Sequence, residues 1–107
     1  MTYLDEMAEH LHQLATEKGF WPKEVDDIFL AKQLMMVVSE AVEVMEAIRK
    51  DQGKGAVASE MADILIRTLD LYAGMQEHGY VDIPVDKAVD LKTNYNKSRP
   101  ERHGVKF

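Results

Sequence analysis

Two pairs of acidic residues in this chain share one spacing. Glu40 and Glu43 lie three residues apart, and so do Glu60 and Asp63. On a helix, residues three apart are neighbours on one face, so each pair presents two carboxylates side by side. Like charges so placed repel, and the cost grows as they leave water. A divalent cation removes that cost, and Mg²⁺ favours carboxylate oxygens while keeping waters and room for substrate phosphates. The first pair stands in LMMVVSEAVEVMEAI, residues 34–48, which is apolar except for Ser39, Glu40, Glu43 and Glu46. The second pair is less distinctive. Glu60, Asp63, Arg67 and Asp70 form one polar stripe, as on any solvated helix face, with Arg67 placed to pair with Asp63.

The two pairs can converge. A helix ending near Arg49 and another beginning near Ala56, joined through the turn QGKG at 52–55, make a hairpin. Glu40 and Asp63 then lie nine and seven residues from the helix ends, and Glu43 and Glu60 six and four. At ~1.5 Å per residue the mismatch is about 3 Å, so the pairs are nearly level. Glu46 is within reach of Glu43 but reads equally well as a rim residue.

Other chemistries find little support. The chain has no cysteine, so thiolate metal sites and disulfides are excluded. His10 and His12 point to different sides of a helix, and His78 belongs to a helix end. No Ser/His/Asp arrangement and no glycine-rich phosphate loop is present.

The elements that must hold the carboxylates read as helices, with no alternating strand pattern. Thr2 and Asp5 resemble a capped start, after which Leu4, Met7, Leu11 and Leu14 recur at helical spacing until Gly19. FWPKEVDD connects to a second helix from about Ile28 to Lys50. A third runs from about Ala56 to Glu77. Pro84 suits the first turn of a fourth, which ends before Pro100. The expected fold is all-α, an antiparallel four-helix bundle-like protomer, in one domain over 1–107 with a basic tail at about 97–107. Leu34, Val37, Val38, Ala41, Met45 and Ile48 form a broad apolar stripe, flanked by further apolar residues. A helix apolar nearly all round is buried on more than one side, so a homodimer or higher oligomer is expected.

The net charge of −6 hides an asymmetry: the acidic residues crowd the body, while Lys92, Lys97, Arg99, Arg102 and Lys106 follow with Glu101 alone against them. An acidic body argues against binding a nucleic acid polymer. A short basic tail can still meet a small polyanion, although a solvated chain end is the plainer reading. No apolar run approaches the ~18 residues of a membrane span, and MTYLDEMAEH is too acidic for a signal peptide, so a cytoplasmic protein is expected.

Glu40-x-x-Glu43, sixteen residues, then Glu60-x-x-Asp63 resembles the ExxE…ExxD signature of the MazG-like all-α nucleoside triphosphate pyrophosphohydrolases. KQLMMVVSEAVEVMEAIRK and SEMADILIRTLDL look like that family's second and third helices, and KTNYNKSRPERHG resembles its KxxxNxxRPxxHG ending. The similarity spans roughly residues 20–104. The resemblance implies Mg²⁺-dependent hydrolysis of a (deoxy)nucleoside triphosphate between the α- and β-phosphates, with Mn²⁺ as a substitute. It implies metal ligation by Glu40, Glu43, Glu60 and Asp63, phosphate contacts from Lys92, Asn96 and Arg99, and a homodimer or homotetramer.

The residues agree with that chemistry on their own terms. Attack on a triphosphate needs cations and a positioned, deprotonated water, and one of the clustered glutamates, Glu40 or Glu43, can take the proton. Lys92, Asn96 and Arg99 fall along one helical face. Trp21 can serve as a stacking platform for the base, or pack against the core as a lone Trp after a helix end commonly does. Tyr95 is in the same position. The competing readings are a dUTPase-type or phosphoribosyl-ATP pyrophosphohydrolase using the same site, and a non-catalytic helical interaction module.

Overall fold

Helix α1 (Tyr3–Glu17) starts where Thr2 lends its side chain as a cap, Oγ1 accepting from the Asp5 amide at 3.2 Å. It is the first of four in a computed structural model that describes residues 2–106, with His103 described for its backbone only. Asp26 caps α2 (Asp27–Arg49) in the same way, accepting from the Phe29 amide at 2.8 Å. Next come α3 (Lys54–Glu77), α4 (Val85–Lys97) and a short 3-10 turn over Glu101–Gly104. Among the described residues there is no strand, and the protein is all-α.

α3 begins two residues before the expected Ala56, because the reversal is made by Asp51, at φ +52°, and Gly53, at φ +100°, rather than over the four residues of QGKG. Gly55 is simply helical. The early start has a consequence for the carboxylates. Glu40 and Asp63 now each lie nine residues from the hairpin ends, and Glu43 and Glu60 six. The offset expected from the sequence disappears.

α3 is the element the others share, packing against α2, α1 and α4. Along the α2–α3 hairpin the partners run in opposite senses, with Tyr80 Oη bonded to Asp27 at one end and Arg67 to Glu40 midway. Pro84 is the residue before α4 rather than part of its first turn, and it offers no side-chain cap. Asp5 of α1 takes that role: its buried carboxylate accepts the Asp86 amide at 3.0 Å. That bond holds the Asp5 carboxyl below the ordinary aspartate value.

Trp21 locks the connector between α1 and α2 onto α3. Its Nε1 donates to Asp70 Oδ1 at 2.9 Å, and its ring meets His12 and Phe29 edge-on and stacks beside His78. The indole edge fills the place a Cβ at buried Gly74 would need. Both ring nitrogens of His12 face carboxylates, Nδ1 that of Asp70 at 2.9 Å and Nε2 that of Glu77 at 2.6 Å.

The chain by itself covers little of its apolar surface. Only Ala8, Leu30, Ala47, Leu71 and Val85 are buried hydrophobic residues among those described. The α2 stripe faces outward, with Leu34, Val38, Met45 and Ile48 all at least half exposed. No helix is long and apolar enough to cross a membrane.

Candidate metal centre

The hairpin brings Glu40, Glu60 and Asp63 together, each offering an oxygen such that the three lie within 4.8 Å of one another. Glu40 comes from α2 and the other two from α3, one turn apart on its inner face. None of the three is buried, so waters and a ligand can reach them. Glu43 is exposed and stands at the edge of the set rather than within it. Its charge is nonetheless felt. Partial burial, followed by the charges of Asp63, Glu43 and Glu40, pushes the Glu60 carboxyl above the ordinary glutamate value. A cluster of oxygens that repel one another while open to solvent is the donor set that fits a hard divalent cation.

Glu46 is occupied elsewhere. It pairs with Arg49 at 3.0 Å and Lys50 at 3.4 Å, which hold its carboxyl below the usual range, so it is a rim residue.

Arg67 departs from expectation. Spacing along α3 placed it beside Asp63, but its Nε donates to Glu40 Oε1 at 2.8 Å, across the hairpin. An arginine on the inner face of α3 reaches a carboxylate on the facing helix as readily as one a turn away on its own.

Beside the carboxylates opens a cavity of about 510 Å³ between α1, the connector, α2 and α3. Its polar lining is Glu40, Asp63, Asp70, Arg67, Lys18 and Gln33, while Leu11, Leu14 and Phe20 are among the apolar residues that line it. Sequence reasoning missed Lys18, Phe20 and Gln33. Lys18 and Phe20 flank the glycine at a helix end, and Gln33 is one polar residue near the start of α2, so no periodic signal marks them. A second cavity of about 550 Å³, between α1 and α3, is lined by Glu9, Glu17 and Glu77 and by no lysine or arginine. That lining repels a polyphosphate.

The substrate residues expected from sequence are not at this centre within the chain. Lys92 and Asn96 are exposed and Arg99 half-buried on and beyond α4. They gather round Tyr95, with Lys92 Nζ 4.8 Å and Arg99 Cζ 5.4 Å from its ring. No residue of α4 lines the cavity beside the carboxylates. Trp21 is engaged by Asp70, His12, Phe29 and Gly74, so packing and not base stacking describes its indole.

The fold and the centre define a class: an all-α protein whose central helical hairpin carries an open cluster of carboxylates. The family is more specific. The model of the MazG nucleotide pyrophosphohydrolase domain matches residues 29–102, and the chain belongs to that family. No match was found among curated proteins or among solved structures. The matched span contains Glu40, Glu43, Glu60, Asp63 and Arg67 together with the basic residues of α4.

Proposed function

We propose that this chain is a Mg²⁺-dependent nucleoside triphosphate pyrophosphohydrolase, converting a (deoxy)nucleoside triphosphate to the monophosphate and pyrophosphate. The observation that carries the reading is the meeting of Glu40, Glu60 and Asp63 across the hairpin, within the span that the family model matches. When bound, the cation supplies neutralising charge at the phosphates and lowers the pKa of a water. Glu40, Glu60 and Asp63 would hold it, and Glu43, exposed beside them, would take the proton as the water oxygen bonds to phosphorus. The α–β anhydride bond breaks, and pyrophosphate leaves with its electron pair. The neighbouring cavity, at about 510 Å³, lies within the size range of small-ligand sites and has an apolar wall for the nucleoside.

The reading includes assembly into a homodimer or homotetramer. A folded monomer of 12.2 kDa is expected to expose about 6,100 Å². This chain exposes 8121 Å². The excess of about 2,000 Å² per chain is the scale of an obligate subunit interface, and the outward α2 stripe is the surface that most needs cover. Its radius of gyration, 15.9 Å, likewise exceeds the roughly 13 Å of a monomer of this length. Because Lys92, Asn96 and Arg99 do not line the cavity of their own chain, we assign their phosphate contacts to the site of a neighbouring subunit.

A panel of ribo- and deoxyribonucleoside triphosphates with Mg²⁺, scored for pyrophosphate release, tests the reading. Clean protein that turns over none of them, with Mg²⁺ or Mn²⁺, refutes it.

A further inference from the structure

Arg67 stands where the carboxylates meet the cavity. Its Nε donates to Glu40 Oε1 at 2.8 Å, and its side chain is 38% exposed against 15% for Glu40. A guanidinium carries five N–H donors, and the others find no acceptor among the described residues. Arg67 also lines the cavity that Glu40, Asp63 and Asp70 share, with Lys18 as a second cation there. The chain therefore places its own cation on the carboxylate that joins Glu60 and Asp63 in the oxygen cluster.

A guanidinium and a divalent ion compete for the charge of Glu40. Whichever yields must find another anion, and a guanidinium beside a polyphosphate has one, since its planar fork matches a pair of phosphate oxygens. We propose that Arg67 is an exchangeable counter-ion, which holds Glu40 while the carboxylates have no metal and passes to an anionic oxygen of the bound triphosphate when metal enters. The proposal rests on the metal-dependent triphosphate reading given above. It makes metal and nucleotide bind with positive coupling, because the nucleotide accepts the cation that the metal displaces. An arginine that merely oriented Glu40 would do the opposite: it would strengthen metal binding with or without nucleotide.

Mn²⁺ titration followed by electron paramagnetic resonance separates the two. The proteins are wild type, Arg67→Gln and Arg67→Lys, each checked for helicity. Each is titrated with and without a triphosphate whose α,β-bridging oxygen is replaced by methylene. Without the analogue, Arg67→Gln is expected to bind Mn²⁺ about tenfold more tightly than wild type, because a positive charge has left the cluster. The tightening that the analogue produces in wild type shrinks several-fold in the variant. Arg67→Lys keeps the charge and loses the fork, so Mn²⁺ affinity stays within about threefold of wild type while the analogue binds about tenfold more weakly. Equal or weaker Mn²⁺ binding by Arg67→Gln overturns the proposal, as does unchanged analogue binding by Arg67→Lys. Either result leaves the enzyme reading intact so long as wild type binds Mn²⁺ and releases pyrophosphate. A wild type that does neither removes both.

Discussion

The indole edge of Trp21 occupies the space that a Cβ on Gly74 would need, so the connector and α3 approach this closely only because residue 74 is glycine. Helix propensity alone favours alanine there by about 1 kcal/mol. Overpacking opposes it at about 1–3 kcal/mol, and the collision is with a ring held on several sides. Gly74→Ala is therefore expected to lower stability by up to about 2 kcal/mol in urea denaturation. A stabilised variant would show that the indole is free to move away.

Glu60 sets a pH dependence in the metal-free protein. Its carboxyl is raised above 4.5 by burial and by neighbouring carboxylates, so the folded state favours its protonated form. The stability this contributes is complete below the ordinary glutamate value and is lost as pH rises through the raised one. Metal-free protein should thus lose melting temperature over that interval, with Mg²⁺ restoring it at neutral pH. Glu60→Gln should flatten the profile and melt higher than wild type without metal at pH 7. A Glu60→Gln profile identical to wild type would count against the repulsion.

Glu43→Gln should keep the helical circular dichroism and lose turnover by at least about 100-fold, the usual scale for removing a general base. Its Mn²⁺ affinity should fall less than that of Asp63→Asn, because Glu43 stands at the edge of the oxygen set. Wild-type turnover in Glu43→Gln would remove it from the mechanism.

Lys92→Ala should mainly raise KM, by about tenfold, as expected for a lost charge-assisted contact to phosphate. If the tail serves a neighbouring subunit, co-refolded Lys92→Ala and Glu43→Gln chains should recover activity that neither has alone under subsaturating substrate. Failure of the mixture to exceed its components would return Lys92 to its own chain's site or to solvent.

Val38→Glu places a charge in the outward stripe of α2, where Val38 is 51% exposed in the single chain. If that stripe is covered by a second copy, light scattering should report a smaller assembly for the variant. An unchanged mass at low micromolar concentration would move the interface elsewhere.

Much of this arrangement was legible in one dimension because it depends on local spacing. The i, i+3 pairs, Thr2 as a cap and the apolar stripe of α2 follow from helical periodicity alone. The hairpin register was nearly legible, but Asp51 and Gly53 and not the whole QGKG segment make the turn, and two residues of helix bring the pairs level. Legibility ended where partners lie far apart in sequence. Arg67 looked like a partner for Asp63 because that contact is local, whereas its bond to Glu40 spans 27 positions. Asp5 as a cap for α4 spans 81, and nothing in the DEMAEH segment announces it.

The sequence by itself determined the four helices, the family and the acidic residues that the hairpin must carry, since each is written in spacing that a helix converts directly into a face. The tertiary structure decided which carboxylates meet, which cation sits on Glu40, that Trp21 is packed and that the α2 stripe faces outward. Those outcomes depend on how helices cross and on what a single chain is too small to cover, and a one-dimensional pattern does not encode distances between faces.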